Sequence, residues 1–276
     1  MPHPADQSFT GWPALRHLPF PVRQGAVGVR PVAVAGWFEL DDLAGELAHK
    51  LGTLDRVGDA AGGVLAVAEA ACTELAAEVA RSLGVRLEGT GLAAASALVV
   101  DDLCILSGAG DDAGRLIAAA VAAPNRWSPA HKLGRPLVEV HGPVPGYADT
   151  LARPVARVIG GLVPGRVLER RNWSMLDDDA LWQPVGSSDP ATPFDPDRWF
   201  LRVERQTLRR LPRTGAVVFT IRTRQWPMRF LTGHPPHALG LADALATSPP
   251  QLLAYKGIAH VAAEAAGWLR TSVAPP

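Results

Sequence analysis

The stretch from Leu201 to Arg224 constrains this chain most, because it reads as two charged strands around a tight turn. Leu201, Val203 and Arg205 fall on one side of the first run, and Arg202, Glu204 and Gln206 on the other. This is the period-two alternation of a strand with two distinct faces. Pro212-Arg-Thr-Gly215 supplies turn residues, and Val217, Phe219 and Ile221 alternate again on the return. The expectation is a β-hairpin with an unusual load: Arg202, Glu204, Arg205, Gln206, Arg209, Arg222 and Arg224 form a dense array of planar donors around a carboxylate. Such an array is either a solvated face laced by cross-strand ion pairs or a polar wall that grips an anionic or polarised ligand.

Charge and cysteine usage exclude several functions. The 27 basic side chains balance 27 acidic ones, so no global field attracts nucleic acid or acidic lipid. Cys72 and Cys104 are too few and too far apart for a disulfide framework or a C-x-x-C ligand pair, and an iron–sulfur cluster is not expected. The start, Met1-Pro-His-Pro-Ala-Asp6, has no basic segment followed by an apolar one, and no run reaches the length of a membrane span. The expectation is a soluble cytoplasmic protein.

Residues 1–35 are rich in Pro and Gly and read as an arm laid over the body, of the kind that often covers a sheet edge. Leu43, Leu47 and Leu51 recur at helical spacing behind Asp41-Asp42, which are placed to cap. Residues 63–83 read as a longer Ala-rich helix, residues 94–106 as a strand or strand pair, and residues 114–121 as a short helical run. Ser128-Pro129 is an N-cap and first-turn signature, with Gly134 placed to stop the helix. Residues 136–141 form one more short turn or strand, 147–162 a helix, 167–175 a strand and 186–197 a polar loop. A C-terminal helix over 251–269 follows caps at 247–250. No repeat or linker is visible, so residues 36–276 are expected to form one α+β domain with helical extensions at both ends.

Catalytic signatures are mostly missing. There is no G-x-S-x-G or G-x-x-x-x-G-K-[ST], and Gly108, Gly110 and Gly114 miss the dinucleotide spacing by one residue. His234-Pro-Pro-His237 has metal-like spacing, but the two prolines oppose a helical turn that would aim both rings at one ion. His141 differs: it follows Leu137-Val-Glu-Val140 and precedes a segment stiffened by Pro143 and Pro145, so its ring is expected to be held in one orientation. A single fixed imidazole suits either a buried structural role or a proximal heme ligand, which needs one nitrogen on iron and the other hydrogen-bonded. His131 lies beside Lys132 in a polar turn and is expected to be solvated. Trp127 and Trp173 are platforms for a macrocycle or ordinary core residues.

Several blocks together resemble the heme-dependent oxidative N-demethylase family, which includes the α subunit of dimethylamine monooxygenase. They are Trp127-Ser-Pro-Ala-His-Lys132-Leu-Gly134, His141-Gly-Pro-Val-Pro-Gly146, Arg170-Arg-Asn172-Trp173, Arg202-Val-Glu204-Arg205-Gln206-Thr207, Phe219-Thr-Ile-Arg222-Thr223 and Tyr255-Lys256-Gly257. They occur in the family's order over residues 30–270 or so. The resemblance implies a PAS-like fold, an antiparallel sheet flanked by helices, with heme b held between sheet and helical segment. It also implies oxidation of a small amine by dioxygen, with electrons from a separate flavin and iron–sulfur reductase. His141 matches the axial-ligand position. Glu204, Arg222 and Arg224 are the expected catalytic residues, and Lys132, Trp127, Arg170, Asn172, Arg202 and Gln206 the expected cofactor-binding ones, with Lys256 a further candidate. The chain departs from the family pattern at Ala123, at Asn125 in Pro124-Asn-Arg-Trp127 and at Arg224, so its pocket is expected to differ from a dimethylamine site. A heme-based gas sensor, a heme enzyme tailoring a secondary metabolite and a heme-free scaffold are the competing functions.

Overall fold

The computed structural model describes residues 28–40, 43–108, 113–185 and 192–273. The Asp41-Asp42 cap, most of the 1–35 arm and the first half of the 186–197 loop lie outside them. Seven strands form one antiparallel sheet: β1 (Arg30–Val32), β2 (Gly62–Val64), β3 (Asp102–Leu106), β4 (Leu116–Ala120), β5 (Val167–Leu176), β6 (Phe200–Arg210) and β7 (Val217–Pro227), in the order β1-β5-β6-β7-β3-β4-β2. The helices are α1 (Leu43–Val57), α2 (Glu69–Leu83), α3 (Gly91–Ser96), α4 (Pro129–Lys132), α5 (Leu137–Val140), α6 (Ala152–Gly160), α7 (Pro235–Thr247), α8 (Pro250–Tyr255) and α9 (Ala262–Ser272). None among the described residues is long and apolar enough to cross a membrane.

The expected hairpin is β6–β7, the longest pairing in the sheet, running from Phe200↔Pro227 to Arg210↔Val217. Pro212–Gly215 turn between Leu211 and Ala216, closed by Leu211 N–H to Ala216 O at 2.8 Å, with Gly215 at φ +71. The Glu74 carboxylate of α2 accepts from the Arg213 and Thr214 amides at 2.7 and 2.8 Å, so the turn is also pinned from outside.

Pairing sorts the side chains onto two faces. Arg170, Asn172, Ser174, Arg202, Glu204, Gln206, Ile221, Thr223 and Asp102 share one face, which continues into the apolar Leu168, Leu208, Phe219 and Cys104. That apolar half packs with Leu106, Leu116, Val121, Ile159 and Leu162 and with Trp127, Leu133, Leu137, Val140 and Val155, so α4, α5 and α6 lie over it. The opposite face is covered at one end by α7 and α9 through Trp173, Met175, Leu201, Val203 and Trp226, and at the other by α2 and α3 with Trp37 through Leu103, Ile105 and Val218. Each fully buried Leu, Ile or Met there contributes about 1.5–3 kcal/mol.

Four local expectations change. Residues 114–121, expected as a helical run, are strand β4: three alanines and two branched residues fit a helix or a buried strand equally, and pairing with β3 and β2 decides. The helix expected from residue 63 begins at Glu69, because Gly62 and Gly63 run extended at φ +129 and +155 against β4; a Cβ on Gly62 would collide with the Ala119 carbonyl. The strand expected over 94–106 is β3 alone, preceded by α3. The helix expected over 251–269 is interrupted at Lys256-Gly257, with Gly257 at φ +69. In addition, Pro235 and Pro236 start α7 at its first turn, where a missing N–H costs nothing. The predicted Ser128 cap forms: its Oγ accepts from His131 N at 3.3 Å. β1 pairs with the outer edge of β5.

A site between an imidazole and a charged sheet face

His141 ends α5 and its placement follows from that helix. Its Nδ1 lies 2.9 Å from the Leu137 carbonyl, which can only accept, so Nδ1 carries the proton and Nε2 keeps a lone pair. Tyr147 stacks on the ring with centroids 4.6 Å apart and planes 10° from parallel. Burial pushes the imidazole pKa down, the Leu137 bond opposes this, and the Arg170 and Lys132 charges push it down further. At neutral pH the ring is therefore neutral, oriented and basic at one nitrogen.

Glu204 sits on the sheet face that carries Arg170. Its Oε2 accepts from Gln206 Nε2 at 2.8 Å and Asn172 Nδ2 at 3.4 Å, while Oε1 lies 3.5 Å from Arg202 Nε. Arg202 is fully buried, and its two terminal nitrogens are committed to the carbonyls of Ala123 and Leu181, to Gln225 Oε1 and to Thr223 Oγ1. Its Nε makes no hydrogen bond among the described residues. Burial lowers the pKa of Arg202, with the Glu204 charge opposing. The Ala123 carbonyl that Arg202 grips is itself fixed, since Asp102 accepts from the Ala122 and Ala123 amides at 2.7 and 3.1 Å.

The turn after α8 closes this side. Lys256 Nζ bonds the Trp173 carbonyl and lies 4.6 Å over the Trp173 ring. Burial brings its pKa down to about 8, with Glu204 opposing and Arg170 adding to the fall. Arg126, at the rare φ of +57, donates to the Lys256 carbonyl at 2.6 Å and lies against Gly257, where a side chain would clash with it. The exposed Tyr255 senses the Glu204 charge, which with burial raises its pKa.

The structure thus brings together His141, Arg170, Asn172, Arg202, Glu204 and Gln206. Lys132 stands near His141 with Nζ 3.0 Å from the Glu139 carbonyl, and Trp127 packs on the apolar half of the same face. Arg222 and Arg224 are not brought to this site. Arg222 pairs with Arg205 and Arg224 with Val203, on the opposite face, where Arg222 holds Glu46 and Arg224 holds Glu39. Trp173 also points to that face, within the α7–α9 core. His234 and His237 have ring centroids 6.4 Å apart, and among the described residues no group of three His, Cys, Asp or Glu is gathered as a metal site. His131 is exposed, as expected. Tyr147 escaped the sequence reading, because nothing in its spacing from His141 reveals that the Pro143–Gly146 turn folds it back.

Fold and site define an α+β protein that sets a fixed neutral imidazole near a charged sheet face, with apolar walls beside them. Residues 86–266 match the family described as haem-dependent oxidative N-demethylase, alpha subunit-like. The chain belongs to that family, whose name carries haem dependence, an oxidative N-demethylase activity and a multi-component system. The matched stretch contains every site residue named above.

Proposed function

We propose that the chain is the heme-binding subunit of an amine-oxidising system. In this reading it binds heme b through His141 and oxidatively demethylates a small amine, with dioxygen as co-substrate and electrons from a separate flavin and iron–sulfur reductase. The observation that carries the reading is the state of His141: Nδ1 occupied by a carbonyl, Nε2 basic and unbonded among the described residues, the ring clamped by Tyr147. The surroundings fit a macrocycle, because Trp127, Leu133, Leu137, Val140, Leu168, Leu208 and Phe219 are only partly buried beside it and Lys132 offers a cation for a propionate. When bound, the heme supplies the dioxygen chemistry that side chains lack.

The chain's own groups do the rest. Glu204 holds the ammonium of the amine near the reacting methyl group. Arg202 lies 3.5 Å from one Glu204 oxygen, and Gln206 and Asn172 fix the carboxylate's orientation by occupying the other. The apolar walls exclude water. Arg222 and Arg224 have no part in this; their role is to bind the N-terminal segment and α1 to the sheet.

A PAS-like core is supported by strand order: from β3 to β7 in chain order, the central strands lie 2-1-5-4-3, with α4–α6 inserted between the second and third. A cytoplasmic location is supported by two buried free cysteines. One domain spanning residues 36–276 is supported by α7 and α9 packing on the same sheet as α2.

Purified recombinant protein is expected to show a Soret band that is lost or shifted in His141→Ala. An unchanged heme spectrum in that variant would remove His141 as ligand. Amine-dependent oxygen consumption with an artificial reductant separates an enzyme from a gas sensor, and Glu204→Gln is expected to lower it.

A further inference from the structure

We propose that the amine bound here also carries a carboxylate, making the ligand a zwitterion of the N-methylated amino-acid class. Glu204 holds its ammonium and Arg170 its carboxylate. The inference rests on the heme reading above and adds a substrate class to it.

Three features of the sheet face carry it. The Arg170 guanidinium has five donors and, among the described residues, no hydrogen bond or ion pair, although burial already lowers its pKa. A partly buried guanidinium beside a carboxylate ordinarily pairs with it, usually through two parallel bonds. Here Glu204 is close enough for each charge to act on the other, yet they do not pair. In the register Arg170 stands opposite Gln206 and Asn172 opposite Glu204, so the two charges are diagonal neighbours, with Cα atoms about 7–8 Å apart, within reach of a long side chain yet unpaired. Gln206 and Asn172 then hold Glu204 by its Oε2, and Oε1 has the long ion pair with Arg202 at 3.5 Å. An unpaired anion-binding group and a carboxylate with one loosely paired oxygen therefore sit one residue-row apart. Lys256, which senses both, adds positive charge on the same side.

A simple dialkylamine would engage Glu204 and leave the half-buried guanidinium without a protein or ligand partner. A ligand with both groups satisfies both. The other possible source of a carboxylate is a propionate of the cofactor, and the two sources predict different behaviour.

The test uses heme-loaded protein and calorimetric titration with N-methylglycine and with dimethylamine. The wild type is expected to bind N-methylglycine at least tenfold more tightly. Arg170→Gln is expected to abolish that preference by weakening N-methylglycine, without weakening dimethylamine, and Arg170→Lys to restore part of it. Equal or tighter binding of dimethylamine by the wild type would overturn the proposal without any variant. A fall in heme content in Arg170→Gln, with both ligands weakened alike, would assign Arg170 to a propionate and also overturn it. Absence of a Soret band, or its indifference to His141→Ala, sinks the underlying heme reading instead, so the two failures are distinguishable.

Discussion

Replacing Glu39 by Gln should cost about 3 kcal/mol at pH 7 and almost nothing at pH 2. Glu39 meets Arg171 Nη2 at 3.0 Å and Arg205 Nε at 3.4 Å and also binds Arg224, on the sheet face opposite the site. Burial by itself raises its pKa. The hydrogen bond and charge of Arg224, followed by the charges of Arg171 and Arg205, outweigh this and bring the carboxyl from 4.5 down to about 2. At 1.36 kcal/mol per pH unit, that displacement is worth about 3 kcal/mol of folding stability. Removing one partner of a fully buried ion pair costs about 3–5 kcal/mol, an upper bound here because the Glu39 side chain is 23% exposed. The sign is fixed by the direction: a depressed carboxyl stabilises the fold fully above the unfolded value of 4.5, and that contribution is lost as pH falls toward 2. Urea unfolding of both proteins, followed by far-ultraviolet circular dichroism from pH 7 to pH 2, measures the difference directly, and the other carboxylates cancel in it. A difference that stays constant across this range, or is under 1 kcal/mol at pH 7, would refute the account of these arginines as a charge-dependent clamp.

Two further outcomes test the site. Tyr147→Leu should free the His141 ring to rotate, broadening or shifting the Soret band and weakening heme retention several-fold, while the unfolding free energy changes by no more than a core truncation of about 1–3 kcal/mol; an unaltered heme spectrum contradicts the clamping role. Asp102→Asn should be less stable than wild type near pH 4, by about 1 kcal/mol for one lost backbone bond, but the gap should narrow or reverse by pH 7. Burial raises the Asp102 pKa from 3.8 to about 6, with Lys50 opposing, so the ionised form is penalised progressively over that window; a gap that widens with pH, in the same unfolding measurement, rejects this.

Much of the site was legible because its chemistry lies in short blocks. The alternation of Arg202, Glu204 and Gln206 against Val203 and Arg205 stands in the pairing as it reads in the chain. The misplacement of Arg222 and Arg224 was also readable. Four residues, 212–215, separate Leu211 from Ala216, and an even loop puts even-numbered β6 residues beside odd-numbered β7 residues. Strand β4 was not readable, because Leu-Ile-Ala-Ala-Ala has no period that separates a buried strand from a helix.

The sequence by itself determined the hairpin, the capped start of α4, the stiffened segment after His141 and the family blocks, since each depends on residues close along the chain. Only the tertiary structure decided that Tyr147 folds onto His141, that Lys256 comes near enough to Glu204 to feel its charge, and that Arg170 stays unpaired while both terminal nitrogens of Arg202 are engaged. Those outcomes depend on which distant groups reach the same buried donors first, and a competition of that kind is settled by packing in three dimensions rather than by local preference.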